Sequence, residues 1–207
     1  MLVVSLCDRT GVMVQPWADA GFDCVCVDLQ HSIRRDRFDG RIRYTWGDVR
    51  SWEPMQRPCI VFAFPPCTDL AVSGARDFVT KGGYRLADAL EIAEACKRAG
   101  AWSGSPWMIE NPVGRLSSCW REPDATFDPC DYAGYRGGEE DRYTKRTCIW
   151  HGGGFCMPLK DRQEPTEGSR MHLLPPSDDR ADLRSVTPAG FARAVFEANV
   201  GRIREVA

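Results

Sequence analysis

Short apolar runs separated by helix-length segments are the strongest constraint in this chain. LVVSL at 2–6, CVCVD at 24–28 and CIVFAF at 59–64 are each long enough for a strand and too short for a core helix. A weaker strand is expected near 42–47, and another in PWMIEN at 106–111. Between these runs a helix is expected around 13–20. A second helix is expected in YRLADALEIAEACKRAG, with apolar residues at helical spacing through Leu86, Ala89, Leu90, Ile92, Ala93 and Cys96 and with Gly100 as its stop. This alternation predicts an α/β fold, a mostly parallel sheet with helices on both faces.

The second half has another texture. From 119 to 183 the chain is rich in Gly, Pro and charge, with one clear strand in RTCIW. Thr187-Pro188 then opens a helix through TPAGFARAVFEANVGRIREV. The expected organisation is a core over 1–118, a loop-rich region over 119–183, and a helix over 184–207 that packs back on the core.

Composition narrows the class. In a chain of 207 residues, 43% hydrophobic and 27% charged residues suit a soluble domain with a sizeable core, and no apolar run is long enough to cross a bilayer. MLVVSLCDRTG has no basic leader and no small-residue cleavage site, so a cytoplasmic protein without a signal peptide is expected. The 10 cysteines then read as free thiols in a reducing compartment, with Cys7, Cys24, Cys26, Cys59 and Cys148 inside apolar runs. A competing reading is structural zinc on Cys148, His151 and Cys156, with Cys119 or Cys130 as a fourth ligand. No C-x-x-C pair supports it, and no metal is expected. The net charge of -2, from 27 basic and 29 acidic residues, does not advertise a nucleic-acid surface. Arg34, Arg35, Arg37, Arg41 and Arg43 nevertheless cluster, either as a solvated loop or as a phosphate-facing patch. Trp102 and Trp107 read as core.

In an open α/β sheet ligands bind at the carboxyl ends of the strands. The first strand runs into CDRTGV, a tight turn with Gly11. The second ends at Asp28, where a carboxylate accepts hydrogen bonds from ribose hydroxyls. Asp48 follows the third strand, within reach of an adenine amino group. Cys67 follows the fourth behind Pro65-Pro66, and Glu110-Asn111 ends the fifth. Singly, each acid reads as readily as a cap or turn former. Their joint order is the informative feature.

In that order the chain resembles the DNA (cytosine-5) methyltransferase family, closely over 3 to about 118 and more loosely over 143–150 and 184–197. SLCDRTGVMVQPWADAGFDCVCVD resembles the family's cofactor-binding opening, with Asp8, Arg9, Thr10 and Gly11 in its turn and Asp28 and Leu29 at the strand end. GDV, with Asp48 and Val49, resembles the third motif. FPPCTDLAVSG keeps Pro66, Cys67, Ser73 and Gly74 of the P-C-Q-x-F-S-x-S-G nucleophile loop. IENPVGRL resembles E-N-V, YTKRTCIW stands for the basic motif that touches the target base, and RSVTPAGFARAVFEAN resembles the closing R-x-L-T-P-R-E-x-A-R helix.

The resemblance implies a Rossmann-like, S-adenosylmethionine-dependent enzyme that modifies carbon 5 of cytosine in DNA with a methyl or methyl-derived (for instance carboxymethyl) group. Cys67 would be the thiolate that adds to carbon 6, and Glu110 the carboxyl at ring nitrogen 3. Asn111 would hold the loop or base edge, and Arg146 or Lys145 the base carbonyl. Asp8, Arg9, Thr10, Gly11, Asp28, Leu29, Asp48, Val49 and Pro65 would hold S-adenosylmethionine or a carboxylated analogue. Pro66, Ser73 and Gly74 belong to the loop that would close on an extruded base.

Three departures stand out. Arg9 replaces the first glycine of the cofactor turn, either pointing outward or pairing with an extra carboxylate on a modified cofactor. Pro112 replaces the valine of E-N-V, and ANVGRI is a poor stand-in for the final G-N-x-V. Only about 33 residues, 151 to 183, occupy the place of a long target-recognition segment. Short or relaxed sequence context is therefore expected, with 119–142 and 151–183 as the substrate wall. Compact versions of this kind resemble phage-encoded members. The rival readings are the same chemistry on free deoxycytidine nucleotide or single-stranded nucleic acid, and a non-catalytic nucleic-acid-binding module. Neither membrane association nor an obligate protein partner is expected.

Overall fold

Eight strands join in one sheet: β1 Leu2–Leu6, β2 Asp23–Asp28, β3 Arg37–Asp39, β4 Ile42–Trp46, β5 Ile60–Ala63, β6 Trp107–Pro112, β7 Ala125–Phe127 and β8 Thr147–Gly152. The computed structural model describes residues 1–70, 78–168 and 186–206, so Ser73 and Gly74 of the expected loop lie outside the described residues. The order across the sheet is β3-β4-β2-β1-β5-β6-β8-β7. β4, β2, β1, β5 and β6 are mutually parallel, and β3, β8 and β7 each pair antiparallel with a neighbour. The chain winds outward from β1 and then crosses back to β5. The order therefore reverses between β1 and β5, which opens a crevice at their carboxyl ends.

Alternation along the strands divides the core. Val3, Cys24, Cys26, Ile60, Phe62 and Met108 face one layer, and Val4, Val27, Val61, Ala63 and Ile109 face the other. The first layer is a 3-10 turn at Val12–Val14 running into α1 (Gln15–Asp19), together with α4 (Ala189–Val206). Its centre is Trp17, edge-on to Phe22 and Phe196 at 5.3 and 5.1 Å. The second layer is α2 (Phe78–Ser103) and α3 (Arg115–Cys119), with Ala89, Ala93, Cys96 and Leu116 buried. Parallel strands covered on both faces in this way read as continuous apolar runs.

The loop-rich region is held by polar clamps. A second 3-10 turn, Pro129–Tyr132, is closed by a reciprocal cap between Asp128 and Asp131. Asp131 is buried and bound by Lys160 at 2.8 Å and Arg162 at 2.5 Å. Asn199 of α4 bonds both backbone groups of Cys156, and the Gly190 N–H donates to Asp141 at 2.7 Å.

Three expectations change. Gly100 does not stop α2, which continues to Ser103; it is the point where the helix touches β6, because a Cβ there would sit 2.6 Å from Cβ and Cγ of Trp107. Gly104, at φ +59°, follows the helix end instead. Trp107 is core, as expected, but Trp102 is 68% exposed because its position on α2 turns away from the sheet. The short strands β3 and β7 carry no periodicity that three residues could reveal.

Replacing Gly100 with Ala is expected to destabilise the protein by about 1–3 kcal/mol through overpacking, measured by urea denaturation. A gain in stability, as helix propensity alone would give, contradicts this close contact.

Candidate active site

Three structures meet at the carboxyl edge of the parallel strands: the turn after β1, the acids after β2 and β4, and the paired ends of β5 and β6. The turn begins with Cys7, whose φ of 53° is the one positive value at a non-glycine among the described residues. Its thiol hydrogen-bonds with Cys96, and this bond together with burial holds its pKa well above the ordinary range. Asp8 is buried and organises the turn rather than facing outward. Its carboxylate accepts from Ser5 Oγ at 2.7 Å, Thr10 N at 3.0 Å and Gly11 N at 2.8 Å. Gly11, at φ +75°, has no room for a Cβ because the Tyr44 hydroxyl occupies that space. Arg9 is exposed and donates to Gln30 at 3.3 Å.

The two strand-end acids sit in opposite environments. Asp28 is half-buried, and burial raises its pKa; its Oδ1 accepts the Gln30 N–H at 2.7 Å, and no cation pairs with it among the described residues. Across the register from Asp28 stands Trp46, 40% exposed, while Leu29 beside Asp28 is 54% exposed. Asp48 is clamped by Arg50 through contacts of 2.6 and 2.9 Å, which hold its pKa below the ordinary range. Arg50 also reaches Asp88 of α2 at 2.8 Å. Val49 is buried.

β5 and β6 are adjacent and parallel, so their ends emerge together. Pro65 is buried, Pro66 is exposed and Cys67 is half-buried. Asn111, 1% exposed, donates through Nδ2 to the Pro65 carbonyl at 2.7 Å and ties the two strand ends together. Its Oδ1 is buried and has no partner among the described residues. Beyond Cys67, the Arg115 N–H donates to the Leu70 carbonyl at 2.6 Å, anchoring the start of the loop to the approach of α3. Glu110 makes no hydrogen bond or ion pair among the described residues. Burial pushes its pKa up, and the nearby charge of Lys145 offsets this in part. Arg146, the expected base contact, is exposed and pairs with Asp128 at 3.4 Å, so Lys145 is the cation in the field of Glu110.

Cys24, Cys26, Cys96, Cys130 and Cys148 are buried, whereas Cys119 is exposed. Burial pushes Cys24 up to about 12 and Cys59 up to about 11, where a thiol stays protonated at neutral pH. Among the described residues no group of three His, Cys, Asp or Glu side chains is placed to hold a metal. Cys148 lies against Ser117, and Cys156 is held through its backbone by Asn199.

No protein-family profile and no curated protein sequence matches the chain. Among solved structures, it is similar to a prophage-encoded E. coli protein named as a candidate DNA modification methyltransferase, at TM-score 0.50 and 15% identity, over 86% of this chain and 49% of that one. The fold is the Rossmann-like methyltransferase fold. The chain spans about half the length of that protein. Lower similarity extends to the glycopeptide N-methyltransferase MtfA complexed with S-adenosyl-L-homocysteine, at TM-score 0.32 and 14% identity, over 61% of this chain and 47% of that one. No helix among the described residues is long and apolar enough to cross a membrane.

Sequence reasoning placed Cys67, Glu110 and Asn111 at one edge, and the structure brings their strand ends together. It missed the Asn111–Pro65 bond, because a side chain reaching a backbone carbonyl 46 positions away leaves no local pattern.

Because the folded state raises the Glu110 pKa, its ionisation costs stability. That cost is absent below the unfolded glutamate pKa of about 4.3 and grows as pH rises through the higher folded value. Glu110→Gln is therefore expected to be more stable than the parent at pH 8 and to lose that advantage at pH 4, in denaturation curves at both pH values. Equal stability at pH 8 contradicts a Glu110 whose pKa is raised by the fold.

Proposed function

We propose that the chain transfers a methyl group from S-adenosylmethionine to carbon 5 of cytosine in DNA, with Cys67 as nucleophile and Glu110 as acid. The observation that carries this reading is Glu110, a carboxyl raised by burial and without a partner among the described residues, on the strand beside the one that leads to Cys67. Perturbed, unpartnered groups in a crevice are candidates for chemistry.

Carbon 5 of cytosine is a weak nucleophile. The Cys67 thiolate forms a bond to carbon 6, and the displaced ring electrons make carbon 5 nucleophilic, with negative charge spreading to ring nitrogen 3. Protonated Glu110 donates to that nitrogen and neutralises the charge, a role that its raised pKa suits. Carbon 5 would then take the sulfonium methyl as its bond to sulfur breaks, leaving S-adenosylhomocysteine. It loses its own proton to a solvent base and expels the Cys67 thiolate as the carbon 5–carbon 6 double bond re-forms, and ring nitrogen 3 returns its proton to Glu110. Asn111 keeps the Cys67 loop and Glu110 in one frame through Pro65. Lys145 supplies positive charge at the base-facing side.

S-adenosylmethionine, when bound, supplies an electrophilic sulfonium methyl. The residues present suit it. Asp28 is a half-buried acceptor without a cation partner among the described residues, fit for ribose hydroxyls, and Leu29 and Trp46 offer exposed apolar surface for an adenine ring. Asp48, already clamped by Arg50, contributes to the adenine edge only through its remaining lone pairs. With Arg9 exposed beside Gln30, the reading takes a plain methyl as the group transferred. A base inside a duplex is unreachable, so the target cytosine is flipped out.

The test supplies S-adenosylmethionine with duplex DNA, single-stranded DNA or dCTP, and digests the products to nucleosides for mass spectrometry. 5-Methylcytosine in DNA is expected. Cys67→Ala should abolish it, and Glu110→Gln should lower the rate about a hundredfold or more. No modified cytosine on any substrate overturns the reaction, and product on dCTP alone overturns the assignment to DNA.

A further inference from the structure

A cavity of about 240 Å³ lies between α1 and the start of α4; it borders the turn with Thr10 and Gly11 that the resemblance assigns to the cofactor, and no step proposed above uses its two arginines. Thr10, Gly11, Gln15, Asp19, Arg136 and Arg193 are among its lining residues. Three of these are charged. Asp19 already accepts from Gln15 Nε2 at 2.8 Å, while neither arginine forms an ion pair with a described residue. Arg193 has a buried Nε without a hydrogen-bond partner among the described residues, and its guanidinium lies 5.5 Å from the centre of the Phe196 ring. A buried N–H donor without an acceptor is costly, and an acceptor on a ligand removes that cost.

The turn cannot supply donors to the same ligand. The N–H groups of Thr10 and Gly11 are both spent on Asp8, and that of Val12 points to Thr10 Oγ1 at 3.4 Å. An anion that enters here meets guanidinium groups in place of turn amides. Planar guanidinium forks bind carboxylate and phosphate alike. The volume suits a head group, and the cleft is open, so the rest of a larger ligand can extend into solvent.

We propose that this cavity binds an oxyanion head group, a carboxylate or a phosphate, held by Arg136 and Arg193. The site stands on the cavity and its unpaired donors, so it holds whether or not cytosine is the substrate. Its occupant comes either from a small molecule with a carboxylate or from a nucleotide phosphate.

The test follows the arginine Nε–H signals by NMR in the full chain during titration with inorganic phosphate, S-adenosylhomocysteine, dCMP and, as the neutral control, deoxycytidine. At least one oxyanion probe should move the Arg193 signal while deoxycytidine leaves it in place. Arg136→Gln, a change at an exposed loop position, and Arg193→Gln should each weaken that probe about tenfold. Response to S-adenosylhomocysteine alone assigns the carboxylate source, and response to phosphate and dCMP assigns the phosphate source. Signals unmoved by all three oxyanions, or unchanged affinity in the folded Arg136→Gln variant and in the double variant, overturn the site. None of these readouts requires turnover.

Discussion

Parallel strands satisfy their backbone groups sideways and bury both faces, which leaves their ends as the place where polar side chains can collect. In this chain five parallel strands carry apolar residues to α1 and α4 on one side and to α2 on the other. Asp8, Asp28, Asp48, Cys67 and Glu110 all follow or close a strand at one edge. The Asn111–Pro65 hydrogen bond locks two of those ends together in a buried setting, where a misplaced amide would be costly. The site depends on the sheet twice, once for position and once for dryness.

Four carboxyl groups at that edge show how environment divides one chemical group into several roles. Asp48 is held ionised by the Arg50 fork, whereas burial raises Asp28 and Glu110. Asp8 is consumed by its own turn. The two raised acids have no cation partner among the described residues, and these are the groups best placed to meet a ligand. The cavity beside the turn has the complementary character, with Arg136 and Arg193 in its lining, neither in an ion pair with a described residue.

Much of the fold was legible because burial on both faces writes itself as apolar runs. LVVSL became β1 at Leu2–Leu6, and the run at 59–64 became β5 at Ile60–Ala63. Legibility failed where the reason lies across the structure. Gly100 looks like a helix stop, yet it is a contact with Trp107. Arg146, read with Lys145 as the candidate base contact, pairs with Asp128 eighteen positions earlier, a contact no local pattern shows. The loop-rich region conceals a 3-10 turn because its order comes from Asp131 meeting Lys160 and Arg162, not from periodicity.

The sequence by itself determined the α/β alternation and the residue types at each strand end, since strand length, apolar runs and turn residues act over a few neighbours. The tertiary structure alone decided which of those residues remain available. Asp8 and Asp48 are engaged by neighbours two or three residues away, Ser5, Thr10, Gly11 and Arg50, while Glu110 and the Arg193 Nε are left without a hydrogen-bond partner among the described residues. Desolvation depends on atoms far apart in the chain, so no local pattern shows that Asp28 and Glu110 are the acids whose pKa the fold raises.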